Sequence, residues 1–217
     1  MAQPLIHRSM TDDEYLALER RSDERHEFFE GQVYAMAGES PEHNLINANL
    51  IAIFVAQLKG GGCRTFSPNM KVRTGPGGLY SYPDLAIVCD EPALLDEHRD
   101  VLLNPVLIAE VLSPSTEAYD RGKKFLRYQR IHTLTDYLLV AQDEARIEHF
   151  VRKPNGHWDW SCAVGSDGLI KIASVACEFR LSEIYGNVVF AVPNEESAAK
   201  RQRPRSGEST RTVGRKR

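Results

Sequence analysis

LIAEVLSPST, residues 107–116, runs apolar side chains into a glutamate, Glu110, and stops at the turn signal Ser113-Pro114. A short apolar run bounded by a turn reads as a buried strand. Burying an unpaired carboxylate costs several kcal/mol even after relaxation, so such a residue is tolerated only beside a partner or a metal. The rest of the chain has to supply one.

Working outward, the preceding strand reads YPDLAIVCD, with Asp84 directly after Pro83 and apolar residues from Leu85 to Cys89. Proline is acceptable at a strand start, where the missing N–H is not needed by the ladder. Two carboxylates on adjacent strands, Asp84 and Glu110, can share one divalent cation. Oxygen donors with room for waters suit Mg²⁺ or Mn²⁺, which accept phosphate oxygens as further ligands. After Glu110 a helix is expected from Glu117 to about His132, with Asp120, Lys124 and Tyr128 spaced i, i+4, i+8 on one face. The connecting loop is short enough for that helix to fold back over the strand end and deliver Lys124 to the carboxylates. The competing reading is a plain Asp120–Lys124 salt bridge or a solvated lysine.

Elsewhere, Thr11 and Glu14 form a capping box for a first helix, and FFEGQVYAMAG reads as two strands turning at Glu30-Gly31. Ser40-Pro41 opens an apolar helix to Leu58, closed by Gly60-Gly61-Gly62. CRTFSPNMKVRT gives one or two strands, YSYPDLAIVCD one, and residues 90–103 a loop with at most one helical turn. DYLLVAQ, RIEHFVRK and HWDWSCAV follow as strands, the last two joined at PNGH. LIKIASVACEFRLSEIYG ends with another strand and a short helix. The outline is a mixed α/β (α+β) domain over residues 1–193.

Tyr82-Pro83-Asp84, the run Glu110 to Thr116, Asp120-Arg121-Gly122-Lys123-Lys124 with Tyr128, and Asp136-Tyr137-Leu138-Leu139-Val140 together resemble the Uma-two family. HEFFEGQVYAMAG and SPEHNLINANL resemble its N-terminal half, so the likeness covers about residues 10–187. The family is grouped with the PD-(D/E)XK, restriction-endonuclease-like superfamily. The resemblance implies a central mixed β-sheet flanked by helices and metal-dependent hydrolysis of DNA phosphodiesters. It makes Asp84, Glu110 and Lys124 the catalytic candidates, with Asp84 and Glu110 as metal ligands for Mg²⁺ or Mn²⁺. Glu27 matches the family's first acidic position as a further metal carboxylate, with Glu30 as its competitor. One departure stands out. Two residues after Glu110, where the superfamily carries lysine, this chain has Leu112, and the ammonium is expected instead from Lys124 on the next helix. By analogy with the superfamily the resemblance implies a homodimer, since cutting two strands uses two sites.

Other candidates weigh less. His43, near a helix start, could meet a phosphate or a carboxylate, though such histidines are commonly solvated. Ser113, Ser115 and Thr116 lack a GxSxG-like elbow and read as a turn and cap. The Gly60–Gly62 run and GPGG lack the Lys-Ser/Thr of a phosphate loop. Trp158 and Trp160 share one strand face and read as packing rather than a base-stacking platform.

Composition narrows the class further. A chain of 217 residues with 42% hydrophobic residues can bury a full core, and its four cysteines show no CxxC pair. That spacing argues against a zinc ribbon and a disulfide framework, and predicts mostly buried, reduced thiols. The N-terminus lacks an apolar signal region and LINANLIAIFVAQL is too short to span a bilayer, so a cytoplasmic protein with no membrane partner is expected. Residues 194–217 hold eight Lys/Arg against three Glu, a basic tail expected to be disordered; of the total charge of −3, residues 1–193 therefore carry −8. The tail suits phosphate contacts, whereas the acidic body works against tight DNA binding. The competing, non-enzymatic reading is a nuclease-like fold used as a nucleic-acid-binding or interaction module.

Overall fold

The computed structural model describes residues 9–36 and 38–190; the basic tail lies outside them. The chain opens with α1 (Asp12–Glu19), where Thr11 Oγ1 accepts from Glu14 N and Glu14 Oε2 accepts from Thr11 N, closing the expected capping box. A hairpin follows, β1 (His26–Phe29) and β2 (Gln32–Ala35). Its turn residues Glu30 and Gly31 both have positive φ, 49° and 77°. A Cβ at Gly31 would come within 2.1 Å of Ser9 Oγ, so glycine is required there.

Next comes α2 (Pro41–Leu58), started by the Ser40 cap and by proline in its first turn. Ile46, Leu50, Phe54 and Leu58, four residues apart, bury one stripe of it. Five strands follow: β3 (Cys63–Phe66), β4 (Lys71–Arg73), β5 (Tyr80–Ser81), β6 (Leu85–Cys89) and β7 (Val101–Leu102). Then β8 (Leu107–Leu112) leads into a crossover built of α3 (Glu117–Tyr119), a π-helical turn (Asp120–Lys124) and α4 (Phe125–Tyr128). The chain continues through β9 (Asp136–Ala141), β10 (Arg146–Arg152), β11 (Trp158–Val164), β12 (Leu169–Ile172), β13 (Cys177–Arg180) and α5 (Leu181–Ile184).

The central sheet is mixed, in the order β11-β10-β9-β8-β6-β3, with β8 and β9 parallel and the other pairs antiparallel. A parallel pair needs a crossover, and the helical segment from α3 to α4 provides it. Side-chain alternation along β8 then sorts the two faces. Leu107, Ala109 and Val111 pack with α2, β12, β13 and α5, while Ile108 and Leu112 pack with Phe125 and Tyr128 of the crossover. Glu110 falls on the crossover side. The second sheet, β2-β1-β5-β4-β7, carries α1 through Tyr15, Leu16, Phe28 and Tyr80.

Several expected elements take a different form. YSYPDLAIVCD divides into β5 and β6, in different sheets, because the chain passes between them at Tyr82-Pro83-Asp84. Residues 90–103 form no helical turn; Leu94 bridges Leu102, and Val101–Leu102 is a strand. The crossover helix ends at Tyr128 rather than near His132. The cysteine expectation is corrected: Cys63 and Cys89, directly opposed in the β3–β6 register, form a disulfide, Cys162 is exposed, and only Cys177 is a buried free thiol. Spacing alone hid this pair, because strand register rather than sequence distance brings the two together.

β9 begins with a buried carboxylate of its own. Asp136, 2% exposed, accepts at Oδ2 from Thr135 Oγ1 (2.7 Å) and Ser174 Oγ (2.5 Å), and its Oδ1 lies 2.7 Å from His149 Nε2. Burial pushes its carboxyl up, but these hydrogen bonds outweigh that and hold it below the usual carboxylate range. A depressed folded value means stability present above the unfolded Asp value and lost as pH falls through the folded one. Asp136→Ala is therefore expected to cost about 3 kcal/mol at pH 7 in urea unfolding, with the difference from wild type shrinking below pH ~4.

Candidate active site

One strand step beyond the paired Leu85 and Ala109, the antiparallel register sets Asp84 across from Glu110. Asp84 Oδ2 accepts from the Val111 backbone N–H at 2.7 Å, which ties the start of β6 to the end of β8. The side chain preceding this pair is also anchored: the Tyr82 hydroxyl donates to Glu19 Oε1 at 2.7 Å. Both carboxylates open onto a cavity of about 520 Å³, lined further by Glu27, His43, Asp120 and Lys124.

Lys124 enters from the π-helical turn, whose inward residues Asp120 and Lys124 are buried at 3% and 5% exposure. The outward Arg121 pairs with Glu117 and Glu148 and fastens the turn to β10. Lys124 Nζ sits 2.9 Å from Glu110 Oε1, 3.0 Å from Glu27 Oε1 and 3.6 Å from Asp120 Oδ1. Tyr128, one turn on, donates its hydroxyl to Glu110 Oε1 at 2.7 Å, leaving Ser81 Oγ, 2.9 Å away, as donor to the tyrosine oxygen. The i, i+4, i+8 face read from the sequence is thus assembled. Lys124 makes the simple Asp120 salt bridge and also reaches Glu110 and Glu27; among the described residues no ion pair joins it to Asp84.

The charges do not balance. Five carboxylates, Glu27, Glu39, Asp84, Glu110 and Asp120, line the cavity with one ammonium, Lys124, and one imidazole, His43. Burial pushes the Glu110 carboxyl well up, Asp120 and Asp84 add to this, and Lys124 and Tyr128 only partly offset it. Asp120 is also raised, chiefly by burial. Burial alone would lower Lys124, but Glu110 and Glu27 outweigh it and hold the ammonium protonated. Carboxylate oxygens are the donor type that a hard divalent cation takes. The ion pair and hydrogen bond of Glu110 use Oε1, those of Asp84 use Oδ2, and both residues face the cavity as hard oxygen donors.

Of the acidic pair proposed upstream, Glu27 reaches the cavity, whereas Glu30 sits exposed in the β1–β2 turn. His43 carries more than the sequence suggested. It is 6% exposed, and its Nε2 lies 3.4 Å from Asp84 Oδ2. Burial would lower its pKa, but Asp84 and Glu39 outweigh this and raise it. Glu39, not singled out in the sequence, joins His43 and Asp84 in a group whose ligand atoms lie within 4.8 Å of one another. The only prior signal was Glu39's place beside the Ser40 cap. Ser113 and Thr116 hydrogen-bond each other in a turn, but Thr116 makes no side-chain capping bond to α3; Trp158 packs on Phe125, and Trp160 stays 59% exposed on the edge strand β11.

Comparison with known proteins bears on the family and the fold. The Uma2 family model, described as "Putative restriction endonuclease", matches residues 12–182. Two uncharacterised Synechocystis sp. proteins, slr1290 and sll1609, are 36% and 31% identical, covering 83% and 76% of this chain and 94% and 93% of their own lengths. A crystal structure titled as that of a "putative nuclease belonging to DUF820" from Anabaena variabilis superposes with a TM-score of 0.69 at 18% identity. It covers 83% of this chain and 99% of that one, and it shares the fold.

The excess of buried carboxylates makes Lys124 a stability residue in the metal-free protein. Lys124→Met is expected to lower stability at pH 7 by roughly 3–5 kcal/mol. A carboxyl raised in the folded state favours folding below its unfolded value, and that contribution is lost as pH rises through the folded one. Glu110 is such a group, so the deficit should be smaller at pH 5 than at pH 7 in chelator-treated samples unfolded with urea.

Proposed function

The chain belongs to the Uma2 family, and from that membership and the cavity geometry we propose that it is an Mg²⁺- or Mn²⁺-dependent endonuclease that hydrolyses DNA phosphodiester bonds. One observation carries the reading: Asp84 and Glu110, from adjacent strands, and Lys124, from the crossover between β8 and β9, converge on one cavity. Asp84 and Glu110 would hold the cation, with Glu27 as a further carboxylate at its edge. When bound, a divalent ion supplies Lewis acidity, an activated water and counter-charge for a phosphoryl group.

The protein's own groups do the rest. Lys124, kept protonated by its carboxylate neighbours, offers Nζ–H donors and positive charge to the non-bridging oxygens of the scissile phosphate. Tyr128 and Ser81 fix the Glu110 carboxylate from behind, so its orientation does not depend on solvent. Asp120 shares Lys124 and limits the positions its flexible stem can take. The acidic charge of residues 1–193 works against long-range attraction of DNA. The basic tail is the proposed source of phosphate contacts, and a homodimer the proposed unit for cutting both strands.

Two isosteric variants test the proposal. With Mn²⁺ or Mg²⁺, wild-type protein is expected to nick or linearise supercoiled plasmid, and EDTA to stop it. Asp84→Asn and Glu110→Gln should each reduce the rate by at least ~10²–10³-fold while melting close to wild type. Full cleavage by both variants would refute the assignment.

A further inference from the structure

We propose that His43 is a nitrogen ligand of the cation site and that Glu39 is the positioning residue that turns its Nε2 toward the metal, so that the site selects Mn²⁺ over Mg²⁺. The inference rests on the metal-dependent reading above and adds two residues and a metal preference to it.

Three features of the ring support it. His43 Nε2 approaches Asp84 Oδ2 at 3.4 Å, too far for a charge-assisted hydrogen bond of about 2.7–2.9 Å. It is close to the ~3 Å that separates neighbouring ligands of an octahedral ion with bonds near 2.1 Å. The other ring nitrogen, Nδ1, is buried and makes no hydrogen bond among the described residues. Facing it is a carboxylate, Glu39 Oε2, at 3.5 Å.

Those positions select a tautomer. An imidazole binds a metal through a lone pair, so Nε2 can be a ligand only if the neutral ring carries its proton on Nδ1. A carboxylate beside Nδ1 favours that arrangement, and a small closing movement would complete the hydrogen bond. Carboxylate–histidine–metal relays of this kind set ring orientation and raise ligand basicity.

The backbone supports the same geometry. His43 lies in the first turn of α2, and its N–H donates to Ser40 Oγ at 3.1 Å. Glu39 immediately precedes that cap, and Arg25 approaches its Oε1 at 4.0 Å from the other side. One capped helix start therefore fixes both partners relative to Asp84 at the start of β6.

Metal choice follows from the donor set. Mg²⁺ prefers oxygen ligands and keeps its waters, whereas imidazole nitrogen favours first-row transition ions. A site of carboxylates alone would discriminate little between Mg²⁺ and Mn²⁺. Adding one nitrogen tilts it toward Mn²⁺.

Calorimetric titration of the full chain with Mn²⁺ and with Mg²⁺, combined with pulsed electron paramagnetic resonance of the Mn²⁺ complex, tests this directly. Wild type is expected to bind Mn²⁺ at least ~10-fold tighter than Mg²⁺ and to show nitrogen coupling to the ion. His43→Gln should abolish that coupling and weaken Mn²⁺ ~10–100-fold, with a much smaller effect on Mg²⁺. Glu39→Ala should weaken Mn²⁺ about tenfold while the coupling persists. Tight Mn²⁺ binding without nitrogen coupling in wild type would overturn this inference and leave the two-carboxylate site standing. Absence of any saturable binding would overturn both. The wild-type spectrum decides the matter even if His43→Gln fails to fold.

Discussion

The buried contact between Lys124 Nζ and Glu110 Oε1, 2.9 Å long, is the interaction around which the cavity is arranged. Strand β8 is buried along its whole length, so a carboxylate in its middle must be met by something on the crossover side. The parallel pairing of β8 with β9 demands a crossover, and that crossover is the element carrying Lys124, Asp120 and Tyr128. Topology and electrostatics thus impose one constraint together. A crossover displaced by a turn would leave Glu110 without its cation and Tyr128 without its acceptor.

Leu112 shows why the lysine comes from elsewhere. It lies on the same face of β8 as Glu110, is 3% exposed, and packs with Phe125, Tyr128 and Ile131. A lysine there would have to bury its ammonium among apolar side chains. Placing the charge at Lys124 keeps that core dry and lets one ammonium serve Glu110, Glu27 and Asp120. Carboxylates still outnumber the cationic groups around the cavity, and burial raises the Glu110 and Asp120 carboxyls in response. A deficit of this kind favours a divalent cation among the carboxylates.

Much of this was legible in the chain itself. A glutamate at the centre of an apolar run, an aspartate after proline at the start of the preceding strand, and a lysine four residues from an aspartate are local patterns, and period-two and i, i+4 rules relate them. Glu27 followed from resemblance rather than from any such rule. His43 and Glu39 were less legible, because their value lies in where the start of α2 meets the start of β6, two segments far apart in sequence. The Cys63–Cys89 pairing was hidden for the same reason, since it depends on the register of β3 against β6. The π-helical turn left no clear mark apart from Gly122 within it, and the division of YSYPDLAIVCD between two sheets came from the chain crossing at Pro83.

The most direct measurement is the anomalous difference map of a crystal of the full chain soaked in Mn²⁺. The expected result is a strong peak in the cavity within ~2.2 Å of carboxylate oxygens of both Asp84 and Glu110, with Lys124 still beside Glu110. A cavity without a peak at saturating Mn²⁺, or an ion bound out of reach of either carboxylate, would contradict a two-carboxylate metal centre built across β6 and β8.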